Sequence, residues 1–79
     1  MMDQLISIIN TVGLHNIGSI EVGTLGREVK RLLVLVKTGE DVLRAADGRQ
    51  CTFERFDGQY HSHKLSVEIG DVVVYTYVK

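Results

Sequence analysis

The stretch that most constrains this chain is VVVYTYV, residues 72–78. On a strand, alternate side chains point to opposite faces, so Val72, Val74 and Val78 share one face. Val73, Tyr75 and Tyr77 share the other. Both faces are apolar. A strand of this kind is either central in a sheet or part of a subunit interface. The segment therefore asks for neighbours on two sides, and the rest of a chain of 79 residues must supply them.

So short a chain buries a thin core and reads as a single small domain over residues 1–79. Hydrophobic residues make up 44% and charged residues 24%, as expected of a soluble globular protein. The formal net charge is −1, which argues against a strongly basic nucleic-acid binder. Cys51 is the sole cysteine, so no disulfide within the chain is possible and a reducing setting is the simplest context. No apolar run is long enough for a membrane helix. The first residues, MMDQLISIINTVG, lack the basic start of a secretory signal. A cytoplasmic protein with no membrane association is expected.

Leu5, Ile8, Ile9 and Val12 repeat at helical spacing, and the pattern predicts a short amphipathic helix over 3–12. Asp3 is its N-cap candidate, and Gly13 sits where a left-handed cap would end it. Ile20, Val22 and Leu25 predict a strand at 19–25, with Gly23 and Gly26 as turn or bulge points. Leu32 to Val36 is apolar on both faces and predicts a central strand. Thr38-Gly39 reads as the turn that follows it.

Asp47-Gly48 and Asp57-Gly58 are hairpin signals. They divide the remainder into strands near 41–46, 49–56, 59–69 and 72–78. In the hairpin around Asp57-Gly58, an odd loop pairs Arg55 with Gln59. Phe53 then faces His61, Cys51 faces His63, and the apolar faces coincide. That register puts both histidines in line with Leu65, Val67 and Ile69.

The segment SVEIGDVVVY resembles a phrase found in small β-barrels of the SH3-like kind, carried by Val67, Gly70, Asp71, Val72 and Val74. It covers about ten residues. It implies a fold class and no function. The expected architecture is α+β, mostly β: a short N-terminal helix on a bent antiparallel sheet of five or six strands, with closure into an SH3-like barrel as one form.

Four groups carry possible chemistry. His61 and His63, one residue apart, could offer two metal ligands on one strand face. Cys51 is a soft candidate for a third ligand and His15 a distant one, and no recognised ligand spacing completes the set. Cys51 beside His63 could in principle be an activated thiol, but a buried mid-strand cysteine is more often a small hydrophobe. Gly23, Gly26, Arg27, Lys30 and Arg31 lack any phosphate-loop fingerprint.

Arg49, Arg55, Tyr60 and Phe56 could form a basic, aromatic nucleic-acid face, interrupted by Glu54 and Asp57. The fourth group, Val73, Tyr75 and Tyr77, suits a core or an oligomer interface.

These observations favour a non-catalytic binding module: an adaptor, regulator or inhibitor acting through protein contacts, with self-association expected. No cofactor is implied. The alternatives are a nucleic-acid-binding small barrel, and a metal- or small-ligand-binding protein using His61 and His63 with Phe53, Tyr60, Arg49 and Arg55 nearby.

Overall fold

A computed structural model describes residues 2–25, 29–55, 58 and 63–78. Helix α1 (Met2–Val12) and a 3₁₀ turn (Leu14–Asn16) lead into strands β1 (Ile17–Leu25) and β2 (Val29–Val36). Helix α2 (Gly39–Ala46) follows, then β3 (Thr52–Arg55), β4 (His63–Ile69) and β5 (Val72–Val78). The α+β, strand-rich class and the five strands agree with the sequence pattern.

The periodic face of α1 is the buried one, through Ile8 and Val12 with Leu5 beside them. Asp3 lies inside the first turn rather than before it. The helix stops at Gly13, whose φ of 92° suits glycine and few other residues. Its N–H reaches the Ile9 carbonyl at 2.8 Å, and Asn16 Nδ2 donates to the Val12 carbonyl at 2.8 Å. Two carbonyls left open by the helix end are thereby satisfied.

Residues 41–46 form helix, not the expected strand. Thr38 caps α2: its Oγ1 accepts from the Asp41 N–H at 3.3 Å, while Asp41 Oδ2 accepts from the Thr38 N–H at 3.1 Å. This reciprocal capping box fixes the first turn. Val42, Ala45 and Ala46 then share the buried face at helical spacing. Asp47-Gly48 is the C-terminal cap of α2 rather than a hairpin. Asp47 takes φ 49°, Gly48 φ 85°, and the Asp47 N–H bonds the Leu43 carbonyl at 3.2 Å.

The strand order is β1-β2-β5-β4-β3. Four neighbouring pairs would be antiparallel in the expected sheet, yet β2 and β5 run parallel, so the sheet is mixed. The crossover through α2 allows this, because parallel neighbours need a long connection. Among the described residues β1 and β3 are two open edges, and no pairing closes them into an SH3-like barrel.

VVVYTYV is the central answer to the question it poses: β5 lies between β2 and β4. Val34 pairs with Val74, which pairs with Val67; Leu32 pairs with Val72, which pairs with Ile69. These residues and Val36 pack under Ile8, Val12, Val42, Ala45 and Ala46 in one cluster. Val34, Val36, Val42, Val72 and Val74 are almost wholly buried. Each contributes about 1.5 kcal/mol or more relative to exposure. Both helices thus cover the same face of the sheet.

Gly70-Asp71 joins β4 to β5 by a two-residue loop, Ile69 pairing with Val72. Gly70 has φ 60°, as the first position of a type II′ turn requires.

Candidate interaction surface

Alternation fixes what lies on the uncovered face. Leu33 pairs with Val73, and Leu35 pairs with Tyr75, while their neighbours Val34 and Val74 point into the core. Leu33, Leu35, Val73, Tyr75 and Tyr77 therefore form an apolar strip along the two central strands. All but Tyr77 are half-buried, and Tyr77 is 42% exposed.

The strip is held in place by its own neighbours. Tyr75 and Tyr77 meet edge to face with ring centroids 5.7 Å apart. Lys64 Nζ stands 4.9 Å from the Tyr75 ring centre. Burial, then Tyr77 and then Glu21, raise the pKa of the Tyr75 phenol. Arg31 Nη1 lies 3.0 Å from Glu68 Oε1 at the other end of the strip. Among the described residues, the buried Nε and Nη1 of Arg31 make no hydrogen bond.

β2 and β5 part after the Leu35–Tyr75 pair. A pocket of about 240 Å³ opens there, lined by Gly18, Leu35, Val36, Lys37, Thr76 and Tyr77. It continues the strip as a socket. The sequence pattern singled out Val73, Tyr75 and Tyr77. It did not single out Leu33 and Leu35, whose place depends on β2 lying beside β5. Nothing local in the chain announces that pairing.

The histidine group is rearranged. β3 pairs with β4 so that Phe53 opposes Leu65 and Arg55 opposes His63. The expected register, with Cys51 opposite His63, is displaced by four residues: His63 opposes Arg55, and Phe53 opposes Leu65 instead of His61. The face parity is retained, since Phe53, His63 and Leu65 still share one side. Alternation fixes which face a residue takes, and the loop length sets the offset. Cys51 lies before β3, four residues from Arg55, which places it on the order of 13 Å from His63 along the strand. Its Sγ is 3.9 Å from the Arg49 carbonyl.

Phe53 stacks on His63 with ring centroids 4.7 Å apart and planes 12° from parallel. Phe53 remains 60% exposed, beyond the cover of the helices. His61, Tyr60 and Phe56 lie outside the described residues. Among the described residues no three His, Cys, Asp or Glu side chains gather as a metal site.

The basic pair is not brought onto one element. Arg49 follows α2, and its Nη1 donates to the Ala46 carbonyl at 3.1 Å. It borders a cleft of about 600 Å³ between the helices, lined also by Gln4, Ser7, Thr11, Arg44 and Asp47. Arg55 ends β3 beside His63. Of the glycine-rich basic segment, Gly26 and Arg27 lie outside the described residues, and Arg31 belongs to the open face. Among the described residues no helix is long and apolar enough to cross a membrane.

Comparison of the chain with protein-family models, with curated proteins and with solved structures gives no match.

Proposed function

We propose that the protein is a non-catalytic interaction module that docks a protein partner on the uncovered face of its sheet. One observation carries the reading: both helices cover the same side, leaving an apolar strip of Leu33, Leu35, Val73, Tyr75 and Tyr77 over the two central strands. Contiguous apolar surface rimmed by charge is characteristic of docking sites on soluble proteins. Tyrosines suit such a centre, because they offer large rigid contact area and a polar tip. The socket between Leu35 and Tyr77 is a place for one anchoring side chain of the partner. Arg31, Glu68 and Lys64 form the rim that orients it.

A photo-crosslinking residue at position 77 tests this in cells. It should yield a discrete adduct, while the same residue at the exposed Glu40 of α2 should not. The partner so identified is then titrated against the purified protein. Tyr77→Lys should weaken binding by tenfold or more at unchanged melting temperature. No discrete adduct at 77, or an affinity indifferent to Tyr77→Lys, would sink the reading. Binding that instead follows Arg49 and Arg55 and falls steeply with salt would replace it with nucleic-acid recognition.

A further inference from the structure

The two edges of the sheet are unlike. β3 has four residues, all exposed, and ends in the charged pair Glu54-Arg55. Short length and charge are the usual means of keeping an edge from pairing. β1 has nine residues, Ile17–Leu25, with no proline and the single charge of Glu21. It pairs with β2 on one side and, among the described residues, with nothing on the other. Ile20 is 42% exposed and Val22 69% exposed. They share the face of Val34 and Leu32, yet α2 lies over β4, β5 and β2, and Ile20 and Val22 stay exposed at this margin.

We infer that β1 is a self-pairing edge: two copies of the chain join antiparallel through β1 into one ten-stranded sheet.

The strand's own residues select a second copy and the register. An antiparallel pair of identical strands on a two-fold axis keeps covered face with covered face, so the central residue must oppose itself. Centring on Glu21 would set two carboxylates directly opposite, which is unfavourable. Centring on Ile20 would run the ladder through the irregularity between Ile17 and Ser19. Centring on Val22 avoids both. Glu21 then opposes Gly23 of the other copy, and Val22 opposes Val22. Ile20 lies diagonal to Val22 across the seam, within side-chain reach. The two exposed residues of each edge become one four-residue apolar patch.

The same axis sets both uncovered faces on one side of the joined sheet. Two copies of the strip described above would then present side by side, and a partner with two matching surfaces would gain avidity. The pairing itself stands whether or not that docking role does.

Sedimentation across a concentration series measures the association directly. The wild-type chain should shift from monomer to dimer. Val22→Lys, which sets two ammonium groups at the axis, should raise the dimer dissociation constant by about tenfold or more, while its melting temperature matches that of the wild type at concentrations where both are monomeric. In a Cys51→Ser background, Val22→Cys should form an intermolecular disulfide on mild oxidation. Glu21→Cys and the remote control Glu40→Cys should do so far less. A chain that stays monomeric throughout the series overturns the inference. So does a dimer that Val22→Lys leaves intact, or one that Tyr77→Lys dissolves, since that would place the contact on the uncovered face.

Discussion

Leu33 lies across the space that Gly23 leaves open in the neighbouring strand. A β-carbon added to Gly23 would stand 2.7 Å from Leu33 Cδ1, too close for any real contact. The glycine is what lets Leu33 lie down along the sheet and remain half-buried without a covering helix. The obstructed atom is the tip of a flexible side chain, so Leu33 can rotate away at a cost below about 1 kcal/mol. The smaller entropy loss of alanine offsets part of that. Gly23→Ala should therefore leave the melting temperature nearly unchanged while the Leu33 methyl resonances move and partner binding weakens. A large loss of stability would mean that Gly23 serves the fold and not the surface.

Gly70 offers the opposite case. Its φ of 60° is costly for any residue with a β-carbon, and that carbon would also meet Gln4 Nε2 at 2.9 Å. The side chain of Gln4 can move, but the backbone strain cannot be relieved without changing the turn. Gly70→Ala should destabilise by about 1–2 kcal/mol, read as a lower urea midpoint at constant slope. Gly70→Asn should lose less, because asparagine tolerates this region better.

Thr38 holds Asp41, which is only 2% exposed. Besides the capping bonds, Thr38 Oγ1 donates to Asp41 Oδ2 at 2.9 Å, and Arg44 Nη1 stands 3.6 Å from Oδ1. Thr38→Ala removes the cap and one of the bonds that compensate a buried carboxylate. The expected loss is about 1–2 kcal/mol by chemical denaturation, with Thr38→Ser recovering most of it. An unaffected midpoint would show that the α2 terminus does not depend on this box.

The raised Tyr75 pKa has a definite sign. The unfolded phenol ionises near its ordinary pKa, and the folded one above it. Below the unfolded value both states keep the proton and stability does not depend on this group. As pH rises past it, the unfolded state releases its proton first, so stability falls until the folded pKa is reached. Unfolding free energies measured between neutral pH and the alkaline range should fall less steeply for Tyr75→Phe than for the wild type. Identical slopes would rule out a buried, charge-flanked phenol.

Phe53 and His63 form a pair that a double-mutant cycle can isolate. Their stacked rings should show a coupling of about 0.5–1 kcal/mol between Phe53→Ala and His63→Ala. A coupling near zero would leave the contact without energetic weight.

The pattern along the chain carried much of this fold and missed particular parts for physical reasons. The α1 face and the double apolar character of β2 and β5 were legible, because burial imposes a period on local sequence. Thr38-Gly39 and Asp47-Gly48 both fit hairpins, and that fit hides the helix at 41–46. Yet Thr38 and Asp41 stand at capping-box spacing before Val42, a helix signal present in the same letters. The face of Phe53 and His63 was legible, and their partners were not. A shift of four residues is even, so it preserves alternation and leaves no trace in it. Half the apolar strip is legible from β5; the half on β2 depends on the two strands being neighbours.

The parallel pairing of β2 with β5 also governs how the molecule comes together in time. Leu32 and Val72 are partners forty positions apart along the chain. Before they meet, α2 and the β3–β4 hairpin must be looped out, and the entropy of that closure falls due before the valine ladder rewards it. The β1–β2 and β4–β5 hairpins rest on local contacts, whereas the β2–β5 seam between them carries the long closure. During that interval the β1–β2 hairpin would stand as an isolated pair with both long margins bare, and encounters between molecules at this stage are the route by which a crowded refolding mixture would aggregate.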